Sequence, residues 1–185
     1  SLFGIVNVVT RSGSALAGAR VRAETGTWNA SELAASWGAA GVTAGEDGTE
    51  WDVVLSGGYY TSDGEDLTLP LQEVEYGADA GGGLQWGGPQ AGTDYERSPY
   101  AFVYAKRGGL SVMARSGSRE HGGAMAPYQS IYGSSDSFVK DDKHFVDLRW
   151  DRPLANGVAI SARLFRDWYR YEEHDPYFDD ESYEE

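Results

Sequence analysis

The chain has 185 residues, enough for one domain, and contains no cysteine, which excludes disulfide scaffolds, thiolate metal sites and cysteine nucleophiles. The formal net charge of −14 argues against a nucleic-acid partner, because phosphate binding needs clustered cations. No apolar run is long enough for a membrane-spanning helix, but spanning strands, in which apolar and polar residues alternate, stay compatible with this composition.

Apolar and polar residues alternate along most of the chain, and this period of two predicts strands with one apolar face. Phe3 to Thr10 already has the pattern of a strand in mid-course. The later predicted strands cover residues 18–26, 32–39, 50–60, 98–106, 109–116, 143–151 and 157–171. At roughly eight to fifteen residues they exceed the usual strand of a soluble sheet and suit a tilted crossing of a bilayer. We therefore expect an all-β antiparallel meander of about seven long strands that forms part of a transmembrane β-barrel.

Short and long connections alternate between these strands. The segments 40–49, 106–109 and 152–157 are short, whereas about 62–97 and 117–142 are long. Outer-membrane barrels have brief periplasmic turns and extended outer loops, and the small turn at Gly26 would be a short outer loop. Six tryptophans and twelve tyrosines, several of them near strand ends, are typical of the aromatic girdles of such barrels.

The polar side of the strands carries charges that face either bulk water or a wet barrel lumen. The turn at 152–157 is predicted to pair Trp150 with Ile160, which places Asp147 opposite Arg163 as a cross-strand ion pair. The predicted lumen-facing residues are Arg20, Arg22, Glu32, Asp52, Arg115, Asp147, Arg149 and Arg163. On alternation alone, the solvated face of a soluble β-sandwich is the rival interpretation.

A family resemblance begins at the start of the chain. The run Gly4-Ile5-Val6-Asn7-Val8-Val9-Thr10-Arg11-Ser12-Gly13 resembles the segment of TonB-dependent outer-membrane receptors in which the last plug strand passes into the first barrel strand. The stretches Gly18 to Gly26, Ala35-Ser36-Trp37-Gly38, Leu55 to Gly64 and Phe145 to Tyr171 are similar in style to the barrel of that family. The resemblance implies that residues 1–13 end a plug domain, residues 14–171 form a partial barrel, and residues 172–185 are an acidic loop or tail of a longer chain.

The resemblance also implies a function. Receptors of this type take up a scarce nutrient across the Gram-negative outer membrane, and here a siderophore, cobalamin or an oligosaccharide stay open as ligands. The expected partners are outer-membrane lipid and the TonB complex, which would act through a plug segment absent from this chain. The polar residues of the lumen would then hold and release the plug through exchangeable contacts. No cofactor is expected.

Catalytic and metal motifs are not found. His121, His144 and His174 lie far apart in the sequence without a metal-binding spacing, and no nucleophile elbow or phosphate loop is present. The candidates for ligand contact are aromatic residues in the long loops, namely Tyr76, Trp86, Tyr95 and Tyr128. Two other classes stay open: a soluble β-sandwich module that binds glycans, and a small closed outer-membrane pore. Burial of the apolar side in a dry core would exclude the receptor.

Overall fold

The structure is a computed structural model that describes residues 10–44, 48–74, 84–123 and 131–176, with only the backbone described at 72–74, 84–86 and 155. A one-turn helix, α1 (Gly13–Leu16), precedes the strands, and a 3₁₀ turn spans Ala155–Gly157. The strands are β1 (Gly18–Thr25), β2 (Ser31–Val42), β3 (Glu50–Ser62), β4 (Leu67–Val74), β5 (Leu84–Gln90), β6 (Glu96–Arg107), β7 (Leu110–Gly122), β8 (Phe138–Pro153) and β9 (Ala159–His174).

Seven strands form one antiparallel sheet in the order β1-β2-β3-β6-β7-β8-β9, and this confirms the predicted meander. Strands β4 and β5 make a separate hairpin inside the connection between β3 and β6. β8 and β9 each have 16 residues, and β3 and β7 each have 13, about twice the ordinary strand length or more. β1 and β9 are the edges of the sheet among the described strands.

The element bounds differ from the predicted ones at several places. The long connections narrow to residues 63–95 and 123–137. β3 and β6 extend slightly into the first of them, and β7 and β8 extend well into the second. The first of these connections contains the β4-β5 hairpin. β9 runs to His174, so Glu172 and Glu173 are strand residues rather than the start of an acidic tail. The predicted strand from Phe3, apart from its last residue Thr10, lies outside the described residues.

The register of the sheet separates two faces. Trp37 pairs with Leu55, Leu55 with Val103 and Val103 with Ala114, and directly opposite residues share a face. We call this the apolar face. It also carries Val21, Leu33, Ala35, Val53, Tyr59, Ala101, Ala105, Leu110, Val112, Val146, Leu148, Trp150, Ile160, Ala162, Leu164 and Trp168. The intervening residues form the opposite side, which we call the polar face.

The apolar face is not covered by the described part of the chain. Leu33 is 60% exposed and Leu164 is 72% exposed. Val21, Trp37, Leu55, Tyr59, Leu110, Val146, Leu148, Trp150, Ile160 and Trp168 of this face are exposed as well. Among the described residues, the buried hydrophobic side chains are Leu16 and Val54. The described strands therefore do not form two sheets packed around a dry core.

The register between β8 and β9 differs from the predicted one by two residues. Trp150 lies opposite Ala162, and Asp147 lies opposite Phe165. Both strands continue to the Pro153 and Ala159 pair, and a tight turn with positive φ at Asn156 closes the connection. A shift of two residues preserves the faces of the sheet. For that reason the predicted residues stay on the predicted sides.

The long connections lie together at one end of the strands and form hydrogen bonds with one another. The Gly122 N–H donates to the Tyr95 carbonyl at 2.9 Å, and the Tyr132 hydroxyl donates to the Gly88 carbonyl at 3.0 Å. Ser137 donates to the Asp175 carboxylate at 2.9 Å. This layer, here called the loop collar (residues 63–74, 84–95, 123, 131–137, 175 and 176), contains the buried polar residues Gln90, Thr93 and Ser137. The short connections at 43–49, 108–109 and 154–158 lie at the opposite end of the strands, whereas the short turn at 26–30 lies at the loop-collar end, where the Asp63 N–H donates to the Trp28 carbonyl.

Candidate functional site

The polar face brings together all the residues that the sequence predicts to face a lumen. Arg20 and Arg22 lie on β1, Glu32 on β2 and Asp52 on β3, and the alternation of each strand directs them to this face. Arg115, Asp147, Arg149 and Arg163 lie on the same face through the pairing of β6 to β9. The structure thus gathers residues that are up to 143 positions apart in the chain onto one surface, as the period of two requires.

The segment before the first strand is seated on this polar face. The Gly13 N–H donates to Asp52 Oδ1 at 2.7 Å, and the side chain of Leu16 is buried. A Cβ atom at Gly38 would stand 2.7 Å from Leu16 Cβ and 2.9 Å from Gly13 Cα. Residues 10–17 therefore lie against the sheet so closely that only a glycine fits beneath them.

Helix α1 is short, and its ends are fixed locally. Ser12 is the N-cap, and its hydroxyl accepts a hydrogen bond from the Ala15 N–H at 3.2 Å. Ala17 closes the turn in the left-handed region with φ of 48°, a conformation that favours glycine. The alternating sequence pattern does not predict this helix, since four residues are too few to show a helical period.

Ion pairs join neighbouring strands on the polar face. Arg163 bonds to Asp147 through two nitrogens, with Nε 2.9 Å from Oδ2 and Nη2 2.5 Å from Oδ2. The pair is diagonal, because Arg149 is the residue directly opposite Arg163. Arg22 contacts Glu32 at 2.5 Å and Glu24 at 3.5 Å. The Arg22–Glu24 pair lies within β1, and the other two pairs join neighbouring strands. Both guanidiniums are exposed, so water screens these pairs and they stabilise the sheet only weakly.

A cavity of 590 Å³ adjoins the seated segment. It touches Leu16, Ser36 on β2, Val54 on β3, Phe102 on β6, Met113 on β7 and Phe145 on β8. One cavity thus spans five neighbouring strands on the polar face.

A second cavity, of 710 Å³, lies nearer the loop collar and combines aromatic rings with cations. Its wall contains Tyr100, Arg115, Arg119, Lys143, Phe145 and Tyr169. Lys143 Nζ stands 5.2 Å from the centre of the Tyr169 ring, and Arg119 bonds to Glu96 at 2.9 Å. Arg115 has no ion pair within the described residues. Asp141 and Asp167 also line this cavity. Such a wall can stack on a ring and bind hydroxyl groups through either its cations or its carboxylates.

The aromatic residues of this wall were not predicted as site residues. The sequence shows that Tyr100, Phe102 and Tyr104 share a face, but it does not show which face. The register settles the question, because Tyr100 lies opposite Gly58 and its ring covers that glycine. A Cβ at Gly58 would stand 2.8 Å from Tyr100 Cε1. The small apolar residues Ala101, Val103 and Ala105, which alternate with these rings along β6, are the signal that could have placed the rings on the polar face.

The predicted loop aromatics are only partly described. Tyr76, Tyr128 and the side chain of Trp86 lie outside the described residues. Tyr95 is described, and its hydroxyl donates to Glu120 at 3.3 Å while the Arg97 guanidinium stands 5.1 Å from its ring centre. Burial raises the pKa of the Tyr95 phenol, and the Glu120 carboxylate raises it further. Tyr95 therefore remains a hydrogen-bond donor at neutral pH and fixes the base of the loop collar.

The three histidines lie at separate places. His121 contacts the Gly122 carbonyl, His144 contacts Ser116 Oγ at 2.9 Å, and His174 stacks on Phe138. The described residues include no cluster of three His, Asp or Glu side chains that could hold a metal ion. Nor does any helix in the described ranges have the length and hydropathy to cross a membrane.

Comparisons of the chain with protein-family profiles, with curated proteins and with solved structures found no match. The resemblance described above consequently depends on the motifs of this chain and on the order of its strands.

Proposed function

We propose that this chain is part of an outer-membrane receptor of the TonB-dependent type, which takes up a scarce nutrient through a plugged β-barrel. The apolar face would contact lipid, and the polar face would line the lumen against the plug. The partner that supplies energy would act through plug residues beyond this chain. A siderophore, cobalamin and an oligosaccharide remain the candidate ligands.

The observation that carries the proposal is the uncovered apolar face. Its exposed Val, Leu, Ile and Trp side chains form one continuous surface across β1, β2, β3 and β6 to β9. A monomeric protein in water rarely exposes a contiguous apolar patch of more than a few hundred Å². Contact with hydrocarbon removes this surface from water without a second sheet. We take lipid as its partner for that reason.

The dimensions of the apolar face agree with a bilayer. On β3 the apolar residues run from Trp51 to Tyr59, about the nine to eleven residues that a tilted spanning strand uses. Aromatic rings stand at both ends of this run. A rim of Thr25, Ser31, Thr61, Arg97, Glu120 and Lys140 borders the apolar face toward the loop collar.

The apolar band also drifts across the sheet in the way that strand tilt requires. A row here means the residues that lie opposite one another on successive strands. In the row of Tyr59, Leu33 and Pro99 on the neighbouring strands are apolar, but Asp142 on β8 and Arg170 on β9 are charged. At the short-turn end of the strands, β9 stays apolar as far as Ile160. A membrane that crosses tilted strands cuts the hydrogen-bonded rows obliquely. A soluble sheet with one wet face has no reason to show this drift.

The seat of residues 10–17 on the polar face supports the plugged type of barrel. The chain reaches β1 across the polar face, and Leu16 packs against Gly38 of that face. An entry from a plug domain requires this route, since the plug lies within the barrel. A small pore with an empty lumen does not require the chain to enter β1 from inside the barrel. The cavity beside Tyr100 and Lys143 would then face the path of the ligand.

Neighbouring residues on β8 provide the test, because the chain has no native cysteine. Spin labels at single cysteines replacing Leu148 and Asp147 would be compared in the membrane-embedded protein. We expect the label at Leu148 to contact oxygen dissolved in lipid and the label at Asp147 to contact a water-soluble nickel complex. Equal contact with the nickel complex at both positions would refute the membrane assignment.

The receptor type needs a separate test. The complete reading frame should contain about a hundred plug residues before Ser1 and many further alternating strands after Glu185. A complete frame that ended near Glu185 would contradict the receptor and would favour a small pore. If the frame is long, deletion of the plug should turn energised uptake into passive leakage of small solutes.

A further inference from the structure

The 710 Å³ cavity on the polar face has a charged group on each side of an aromatic ring. Arg115 on β7, Phe145 on β8 and Asp167 on β9 lie opposite one another in one row. Neighbouring strands stand roughly 5 Å apart, so the backbones at Arg115 and Asp167 are about 10 Å from each other. Within the described residues, neither of these two charged side chains has an ion pair or a hydrogen bond. The row therefore offers a free guanidinium, an aromatic ring and a free carboxylate side by side.

The next row toward the loop collar gives the cavity its depth. In this row Gly117 lies between Tyr100 on β6 and Lys143 on β8. The nearest atom to a Cβ at Gly117 would be 3.9 Å away, so the space above this glycine is open. Tyr169 on β9 completes the row, and its hydroxyl donates to Asp141 while Lys143 Nζ stands 5.2 Å from its ring centre. The open space thus lies beside a tyrosine ring that its neighbours hold in place.

This cavity continues into the 590 Å³ cavity beside helix α1. Tyr100, Arg115 and Phe145 line both of them, so the two cavities are successive parts of one groove. We call it the polar-face groove. It extends from Asp141, near the loop collar, to Leu16 of the seated segment. Its length suits a chain of linked rings better than a single compact molecule.

The charges of the groove discriminate between classes of ligand. Arg115, Arg119 and Lys143 would attract an anion, but Asp141 and Asp167 in the same wall would repel it. A cationic ligand would be repelled by the three cations in turn. A hydroxyl group both donates and accepts hydrogen bonds, so a ligand rich in hydroxyls can bond to carboxylates and guanidiniums at once. The wall therefore favours an uncharged ligand with many hydroxyl groups.

We propose that the polar-face groove binds a linear, uncharged oligosaccharide. One sugar ring would pack its C–H face on Phe145 and bond its hydroxyls to Arg115 and Asp167, since a saccharide ring combines an apolar face with a polar edge. A ferric siderophore with anionic donors would meet the carboxylates, and cobalamin is a broad macrocycle rather than a chain. The inference rests on the proposed function, because the groove lies on the path of a ligand only if the polar face lines a lumen.

Isothermal titration calorimetry of the complete receptor, purified in detergent, tests the groove. The neutral probes are maltohexaose, cellohexaose, xylohexaose and chitohexaose, and a ferric tricatecholate siderophore and cyanocobalamin represent the other two classes. We expect an oligosaccharide to bind, and we expect Phe145→Ala and Asp167→Ala each to weaken its binding about tenfold. Phe145→Leu, which keeps an apolar side chain and removes the ring, serves as the second variant at that position.

The matched controls make the same substitutions on the same face outside the groove. Phe165→Ala lies on β9, two residues from Asp167, and Asp151→Ala lies on β8 at the short-turn end. Neither residue lines either cavity. Both variants should bind the oligosaccharide as the unchanged protein does. Circular dichroism and heat-dependent gel migration would show that each variant is folded.

The direction of the Asp167→Ala effect decides the class of ligand. Loss of this carboxylate weakens the binding of a hydroxyl-rich ligand, but it strengthens the binding of an anion. Three outcomes would overturn the inference: tighter binding of the ferric siderophore by Asp167→Ala, unchanged oligosaccharide binding in the groove variants, or no binding by any of the four oligosaccharides.

The spin label at Leu148 separates this inference from the proposed function. A lipid-exposed label combined with any of those three outcomes refutes the oligosaccharide site alone. A water-exposed label refutes the proposed function itself.

Discussion

The contact between Gly38 and helix α1 leads to a sharp prediction. Replacing Gly38 with alanine would add a methyl group 2.7 Å from Leu16 Cβ and 2.9 Å from Gly13 Cα. Real side chains do not approach so closely, so residues 10–17 must move away from the sheet. We expect Gly38→Ala to undock this segment while the seven-stranded sheet persists.

The expected loss of docking free energy follows from the contacts that residues 10–17 would lose. Exposing Leu16 costs about 1.5 to 3 kcal/mol, and retaining the segment under strain costs about 1 to 3 kcal/mol. The preference of alanine over glycine in a strand does not offset this cost, because residue 38 lies in β2 whether the segment is docked or not. The loss of docking free energy should be about 1 to 3 kcal/mol, a factor of roughly 5 to 150 in the docking equilibrium.

Hydrogen exchange of the segment measures this equilibrium directly. The Gly13 N–H is bonded to Asp52, and the Ala17 N–H to the Gly13 carbonyl at 2.8 Å, so both should exchange faster by the same factor. Gly117→Ala is the control, because it lies on the same face and its nearest neighbour for a Cβ is Arg115 Nε at 3.9 Å. Unchanged exchange of residues 10–17 in Gly38→Ala would refute the reasoning.

Three further predictions concern the same surfaces. Ala17→Gly should slow exchange of the helix α1 amides by up to tenfold, because it removes about 1 kcal/mol of left-handed strain, and faster exchange would contradict the assigned cap. Asp147→Asn should lower the free energy of unfolding in urea by less than about 1 kcal/mol, since the Arg163 guanidinium is exposed, and a loss of several kcal/mol would show that the pair is dry. Leu148→Lys should destabilise the vesicle-embedded protein by about 2 to 4 kcal/mol, whereas Ser111→Lys on the polar face should change little, and equal effects would argue against the lipid face.

The seven-stranded sheet was predictable because apolar and polar residues alternate along each of its strands. Val146, Leu148 and Trp150 alternate with Asp147 and Arg149, and no tertiary information is needed to assign them to opposite faces. The meander order also follows, since consecutive antiparallel strands with short turns pair with their neighbours. These are local properties, and the structure confirms them.

The register and helix α1 were not predictable in the same way. The pairing of Trp150 with Ala162 depends on how tightly the chain turns around Asn156, and a shift of two residues leaves the face pattern unchanged. The predicted ion pair of Asp147 with Arg163 is present although the predicted register was wrong, because long side chains reach diagonal partners. Helix α1 packs against Gly38 on β2, and the sequence alone does not show this contact because it joins residues that only the folded sheet brings together.

The polar wall shows why site residues were harder to find than strands. Tyr100 and Phe102 are large and apolar enough to be assigned to the apolar face, yet pairing with Gly58 and Ser56 places them on the polar face. Only the register distinguishes an aromatic residue of one face from an aromatic residue of the other. The side chains next to them along the strand, Ala101 and Val103, are small, and they suffice for the proposed contact with lipid because hydrocarbon requires only an apolar surface.

The two faces of β9 bring these arguments together. Its polar-face residues Arg163 and Tyr169 are held by Asp147 and Asp141 on β8, so the wet side of this edge strand is fixed by cross-strand bonds. Its other side offers Leu164, Arg166 and Trp168 without cover from the described chain. An exposed edge strand of this length invites aggregation in water. If the proposed membrane location is correct, the same strand needs a further strand along its edge and lipid on its apolar face.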